Sequence, residues 1–166
     1  PIDAAGGGLR RASAERLGPL LAGRRASVFV TTRSAAQEDG ERPTPKSVRA
    51  SLEESLRLLR TARVDLYHVH DAADSAPGQL VQATLPALVE ARERGEVRYV
   101  GVSTGRLDVL LETLHAFPVD ALLCYGKLDL VDASLAAEVL PAAAERGVAV
   151  VNASPLHSGA LADADP

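Results

Sequence analysis

The sequence predicts an α/β fold, a parallel sheet whose strands are joined by helical crossovers. Two observations carry this. Short apolar runs rich in valine alternate with helical patterns about five times along 166 residues, and that order builds parallel strands. The runs are also mostly apolar rather than alternating, as strands covered on both faces are.

The elements follow in order. Ile2-Asp3-Ala4 reads as the tail of a strand. Residues 12–22 form a helical pattern, and Ser27-Val28-Phe29-Val30-Thr31-Thr32 a strand. The clearest helix spans 45–61. Thr44 caps it and Pro45 takes the first position, where no amide is needed. Its apolar stripe is Val48, Leu52, Leu56 and Leu59, with Glu53 and Arg57 spaced to pair on the wet side. A strand at 64–69 comes next, then a helix at 78–94 that Pro86 should kink and Gly95 should end. Strands at 97–102, 119–124 and 148–152 alternate with helices at 106–116 and 132–145, the last stopped by Gly147. Residues 34–44 and 71–77 are polar loops after strand ends. The pattern fits one domain over 1–166 and leaves two architectures open, a doubly wound sheet and a (β/α)8 barrel.

Composition narrows the function classes. Apolar residues are 46% and charged residues 24%, with a formal net charge of -4. No basic face is offered to nucleic acid or to a membrane surface. No run approaches the roughly 18 apolar residues of a membrane span. The single cysteine, Cys124, cannot form an internal disulfide, so a reducing, cytoplasmic setting is expected, with Cys124 a buried apolar residue. The chain has no methionine, so Pro1 is read as a processed or internal start, and nothing near it reads as a signal peptide. Arginine far outnumbers lysine, which is read as compositional bias.

Polar groups gather where the strands end: Thr32 and Arg33, His68 and His70, Ser103 and Thr104, Cys124 and Tyr125, Asn152 and Ser154. Strand ends are often polar merely because they approach water. His68 and His70, two apart on a strand, face the same way. They fit three readings: satisfied rim histidines, a His-x-His metal site, or a carbonyl polariser whose imidazole titrates near neutrality. Asp71, His115 and His157 lack the spacing to complete a metal site. Gly6-Gly7-Gly8 reads as a flexible loop, since no Gly-x-Gly-x-x-Gly or P-loop motif is present. Ser154-Pro155-Leu156-His157-Ser158-Gly159 supplies small residues and amides of the kind that hold a diphosphate.

Three blocks together resemble the aldo-keto reductases: Val64-Asp65-Leu66-Tyr67-His68-Val69-His70, then residues 94–103 (Arg-Gly-Glu-Val-Arg-Tyr-Val-Gly-Val-Ser), then Ala153-Ser154-Pro155-Leu156-His157-Ser158-Gly159-Ala160-Leu161. Val30-Thr31-Thr32-Arg33 and residues 51–56 fit the same pattern, and the blocks come in the family order. The spelling is most similar to the L-galactose dehydrogenase and aldose dehydrogenase branch. The resemblance implies a (β/α)8 barrel, incomplete here, running from about strand 2 to strand 7. A sheet with open edges is expected to be marginal unless another segment completes it.

The resemblance also implies chemistry: hydride exchange between NADP or NAD and a small-molecule carbonyl or sugar. The family uses a Tyr acid supported by Lys, Asp and His. Asp3 matches the Asp and His70 the His. The Lys position holds Arg33, which keeps the charge but cannot share a proton. The Tyr position falls on Gly8. Ser103 matches the residue that holds the nicotinamide amide, Thr104 stands for the usual Asn, and Leu123 for the usual Gln. Ser154, Leu156 and Ser158 lie where the cofactor diphosphate would run. The implied function is an oxidoreductase on an aldose or similar compound. The altered Tyr and Lys positions keep a second reading open, a catalytically impaired relic or binding module. A third, different chemistry such as a lyase, has no motif behind it.

Overall fold

The computed structural model describes residues 10–34, 43–70 and 79–162, and the backbone of Ile2–Asp3. Six strands form one parallel sheet: β1 (Ile2–Asp3), β2 (Val30–Arg33), β3 (Val64–His70), β4 (Val97–Ser103), β5 (Ala121–Tyr125) and β6 (Ala149–Ala153). Each pairs with the next in sequence, in the order β1-β2-β3-β4-β5-β6. A doubly wound sheet reverses its strand order at a switch point, whereas an unbroken order is that of barrel staves. The sheet is therefore part of a (β/α) barrel.

The helices are α1 (Arg10–Leu21), α2 (Pro45–Leu58), α3 (Gln79–Glu93), α4 (Leu107–Ala116), α5 (Ser134–Glu138) and α6 (Leu140–Glu145). They cover one face of the sheet. Val30, Tyr67, Val69, Val100, Val102, Leu122 and Cys124 point there and form one core with Val48, Leu52, Leu85, Leu88 and Leu110 of the helices. The α2 cap forms as a capping box: Thr44 Oγ1 accepts from the Ser47 amide at 3.1 Å and Ser47 Oγ from the Thr44 amide at 2.9 Å.

Four details differ from the sequence reading. Residues 132–145 hold two helices, not one, because Pro141 opens α6 and has no amide to continue α5. Pro86, by contrast, sits inside an unbroken α3. It is exposed, so the hydrogen bond it cannot make faces water. Arg57 pairs with Glu54 at 2.7 Å rather than with Glu53, which takes Arg49 at 2.9 Å. Glu54 also accepts from Arg11 at 3.0 Å and so ties α1 to α2. Finally, β2 starts at Val30 because Arg25, in a short 3₁₀ turn (Arg25–Ser27), holds the Val28 and Arg63 carbonyls at 3.0–3.1 Å.

Two carboxylates set the floor of the sheet. Asp65 Oδ2 accepts the Val30 amide at 2.8 Å and pairs with Arg25 at 2.8 Å. Asp120 Oδ2 accepts the Val100 amide at 2.8 Å and meets Arg92 at 3.3 Å. Asp65 thus holds the first residue of β2, and Asp120 the middle of β4. That fixes the register on which the inner face depends.

Candidate active site

In a parallel ladder, partnered residues point to the same side, so the register lays out the inner face in rows. Arg33 partners His68, and His68 partners Gly101, which partners Ala121 and through it Ala149. One step toward the strand C-termini, His70 partners Ser103, then Leu123 and Val151. Arg33, His68, His70 and Ser103 therefore share one face at its C-terminal end. Asp3 partners Thr31 through its backbone, two residues before Arg33. Its side chain, and the whole of Gly6, Gly7, Gly8 and Asp71, lie outside the described residues.

His70 is held on three sides. Its amide donates to Ser34 Oγ at 2.8 Å. Its Nδ1 lies 3.0 Å from the Ser103 carbonyl and 3.3 Å from Ser103 Oγ. A carbonyl only accepts, so Nδ1 carries the hydrogen and donates it. The Tyr125 ring, centred 6.4 Å from the His70 ring, leans over the same mouth. It does so across Gly105, where a Cβ would come within 2.9 Å of the ring. Ser34 and Tyr125 thus join the site. Ser34 was missed because it begins a segment that reads as loop. Tyr125 was read among the polar strand ends, but nothing in the sequence says that it reaches over β4.

His68 is different. It is 2% exposed, and its Nε2 has no hydrogen-bond partner among the described residues. The ring lies against Gly101, where a Cβ would meet His68 Cδ2 at 2.7 Å and the Ala121 carbonyl oxygen at 2.5 Å. Burial, with the Arg33 charge beside it, brings its pKa down to about 4, so it is neutral near pH 7. Among the described residues no group of three His, Cys, Asp or Glu is placed to hold a metal ion.

Thr104 is buried, with its amide on the Leu123 carbonyl at 3.0 Å and Oγ1 accepting from the Arg106 amide at 3.1 Å. After β6, Ser154, Leu156 and Ser158 are exposed, and the φ angles of Ser154, His157, Ser158 and Gly159 are all positive, from 48° to 100°. The chain as a whole is matched by known proteins. The aldo/keto reductase family model matches residues 9–165.

The chain belongs to the aldo/keto reductase family. It is 32% identical over 145 residues to an L-galactose dehydrogenase of Arabidopsis thaliana, covering 86% of this chain and 45% of that protein. It is 32% identical over 123 residues to a D-threo-aldose 1-dehydrogenase of a Pseudomonas species, covering 74% of this chain and 37% of that protein. In three dimensions it is similar to the holo form of the aldo-keto reductase AKR11C1 from Bacillus halodurans, with a TM-score of 0.74 and 26% identity over 92% of this chain and 50% of that one. The chain thus spans half or less of the length of these relatives. Among the described residues no helix is long and apolar enough to cross a membrane. Cys124 is buried in the core, and burial pushes its thiol pKa up.

Proposed function

We propose that the chain forms part of an NAD(P)-dependent oxidoreductase acting on an aldose or a similar carbonyl or alcohol compound, with residues 1–166 as one portion of its barrel. One observation carries this reading. His70 is fixed by Ser103 and Ser34 at the strand C-termini, on the face it shares with Arg33. In barrel enzymes chemistry is done at that end.

The residues present fit a nicotinamide dinucleotide. Ser103 and Thr104 would hold the nicotinamide amide. Ser154, Leu156 and Ser158, exposed on a loop of largely left-handed backbone, would line the diphosphate path. When bound, the cofactor supplies or takes the hydride. The chain must then meet the negative charge that reduction leaves on the substrate oxygen.

His70 donates Nδ1–H to the Ser103 carbonyl, so Nε2 carries a proton only when the ring is imidazolium. As a proton donor through Nε2, His70 therefore works from its charged form. Arg33 stabilises the oxyanion but gives no proton at neutral pH. Tyr125 brings a phenol to the same mouth. Asp3, from the adjacent strand, is proposed to pair with Arg33.

The test is a fluorescence titration with NADPH and NADH, followed by turnover with a panel of aldoses. Quenching and aldose-dependent oxidation or reduction of the nicotinamide support the reading. Binding without turnover favours the second reading, a non-catalytic relic, for which Gly8 and Arg33 at the family's Tyr and Lys positions are the specific reason. No binding of either nucleotide refutes the reading. A soluble, cytoplasmic setting is proposed with it, in keeping with the single buried thiol.

A further inference from the structure

We propose that Asp129 and His157 are positioning residues for the dinucleotide, a latch that holds the loop after β6 in the shape that receives the diphosphate. This rests on the dinucleotide reading above. The loop carries an unusual backbone. Ser154, His157 and Ser158 have φ of 55°, 48° and 56°, and Gly159 follows at 100°. Non-glycine residues in the left-handed region are strained, and they persist only where their surroundings over-determine them. Short backbone bonds within the loop do part of this: the His157 amide to the Ser154 carbonyl at 3.0 Å and the Gly159 amide to the Leu156 carbonyl at 2.9 Å. They cannot set the loop's place above the sheet.

That place is set from the loop after β5. Gly126 N donates to the Ala153 carbonyl at 3.4 Å, and Asn152 Nδ2 to the Leu128 carbonyl at 2.8 Å. Both ties reach only the end of β6. The tie that reaches the left-handed run is His157 Nδ1 on Asp129 Oδ2, at 2.8 Å. The Asp129 side chain is only 1% exposed. Its other oxygen, Oδ1, accepts the Val131 and Asp132 amides at 2.8 and 3.0 Å. The anchor is itself braced, since the Asp129 amide donates to the Asp132 carbonyl at 2.9 Å and Lys127 pairs with Asp132 at 2.9 Å. The hydrogen bond from His157 holds the Asp129 carboxyl below the usual carboxylate range, so the anion is present throughout the neutral range. A rigid buried carboxylate thus grips the middle of a loop whose flanking residues, Leu156 and Ser158, face outward.

The test compares the unchanged chain with H157A, H157N and D129N. Asparagine places an amide N–H near where Nδ1 sits, and it tolerates the left-handed backbone. D129N keeps Oδ1 for the two amides but turns a second donor toward His157. NADPH and ADP-ribose, which share the diphosphate, are titrated against each protein, and amide hydrogen exchange is followed over 154–162. H157A and D129N should each weaken both ligands by about tenfold and speed exchange in the loop, whereas H157N should restore binding to within about twofold. Faster exchange with unchanged affinity overturns the proposal, leaving the pair a purely structural role. Equal weakening by H157A and H157N overturns it as well. If the unchanged chain binds neither ligand, the dinucleotide reading falls and this inference falls with it.

Discussion

His68 should make the protein lose stability in mild acid, and the size of that loss follows from its surroundings. The ring is 2% exposed, faces the Arg33 charge and has His70 nearby on the same strand. Its pKa of about 4 lies well below the ordinary 6.5. The unfolded chain therefore binds a proton at pH 5 that the folded chain refuses. Stability contributed by the neutral ring is full above pH 6.5, falls as pH drops toward 4, and levels off below. At about 1.4 kcal/mol for each tenfold change in proton affinity, the gap corresponds to roughly 3 kcal/mol over that window. Carboxylates add their own acid loss, so the reading is a difference between two proteins. Urea unfolding of the unchanged chain and of H68Q at pH 7 and pH 4.5 should show the unchanged chain losing about 2–3 kcal/mol more. Parallel losses in the two proteins would mean that His68 titrates normally, and the argument from burial beside Arg33 would be wrong.

Four further outcomes are expected. G101A should destabilise by about 1–3 kcal/mol in thermal or urea unfolding, because the new methyl meets the Ala121 carbonyl and the His68 ring. T44A should cost about 1 kcal/mol in the same assays through loss of the α2 capping box. Y125F should leave NADPH affinity unchanged while lowering the kcat of carbonyl reduction by about tenfold or more, if its phenol is a proton source. The double variant G8Y/R33K should raise any reductase turnover. Unchanged turnover would show that the family's Tyr and Lys roles do not map onto these two positions.

The scaffold was more legible in the sequence than the mouth, and for a physical reason. Period, capping and valine-rich runs are local, so β3, β4 and α2 are read within a few residues. The break between α5 and α6 was missed although Pro141 signalled it, because the apolar pattern continues across it. Sequence order alone left two architectures open, since strand order within a sheet is a long-range property. At the mouth, the residue types at strand ends were legible, but their partners were not. That His70 would bind the Ser103 carbonyl depends on the β3–β4 register, and that His157 would reach Asp129 depends on two loops 28 residues apart. His68 and His70 look equivalent in the sequence. Burial beside Arg33 makes one ring neutral, and the β3–β4 register gives the other its Ser103 bond.

That separation bears on what a substitution at the mouth can do. The residues that set the register, Asp65 and Asp120, act below the mouth, on the first residue of β2 and the middle of β4. Arg33, His68 and Gly101 form the row above them, and His70 and Ser103 stand one step further toward the C-terminal end. An exchange of lysine for arginine at position 33 leaves the floor contacts untouched. It also keeps a cation beside His68, its partner in the ladder, so the influence that favours the neutral ring remains. With His68 held neutral, the cations at this end are Arg33 and, when protonated, His70. Of those two, Arg33 gives up no proton. The proton source at this mouth is therefore to be sought in His70, held by its Ser103 bond, and in the Tyr125 phenol beside it.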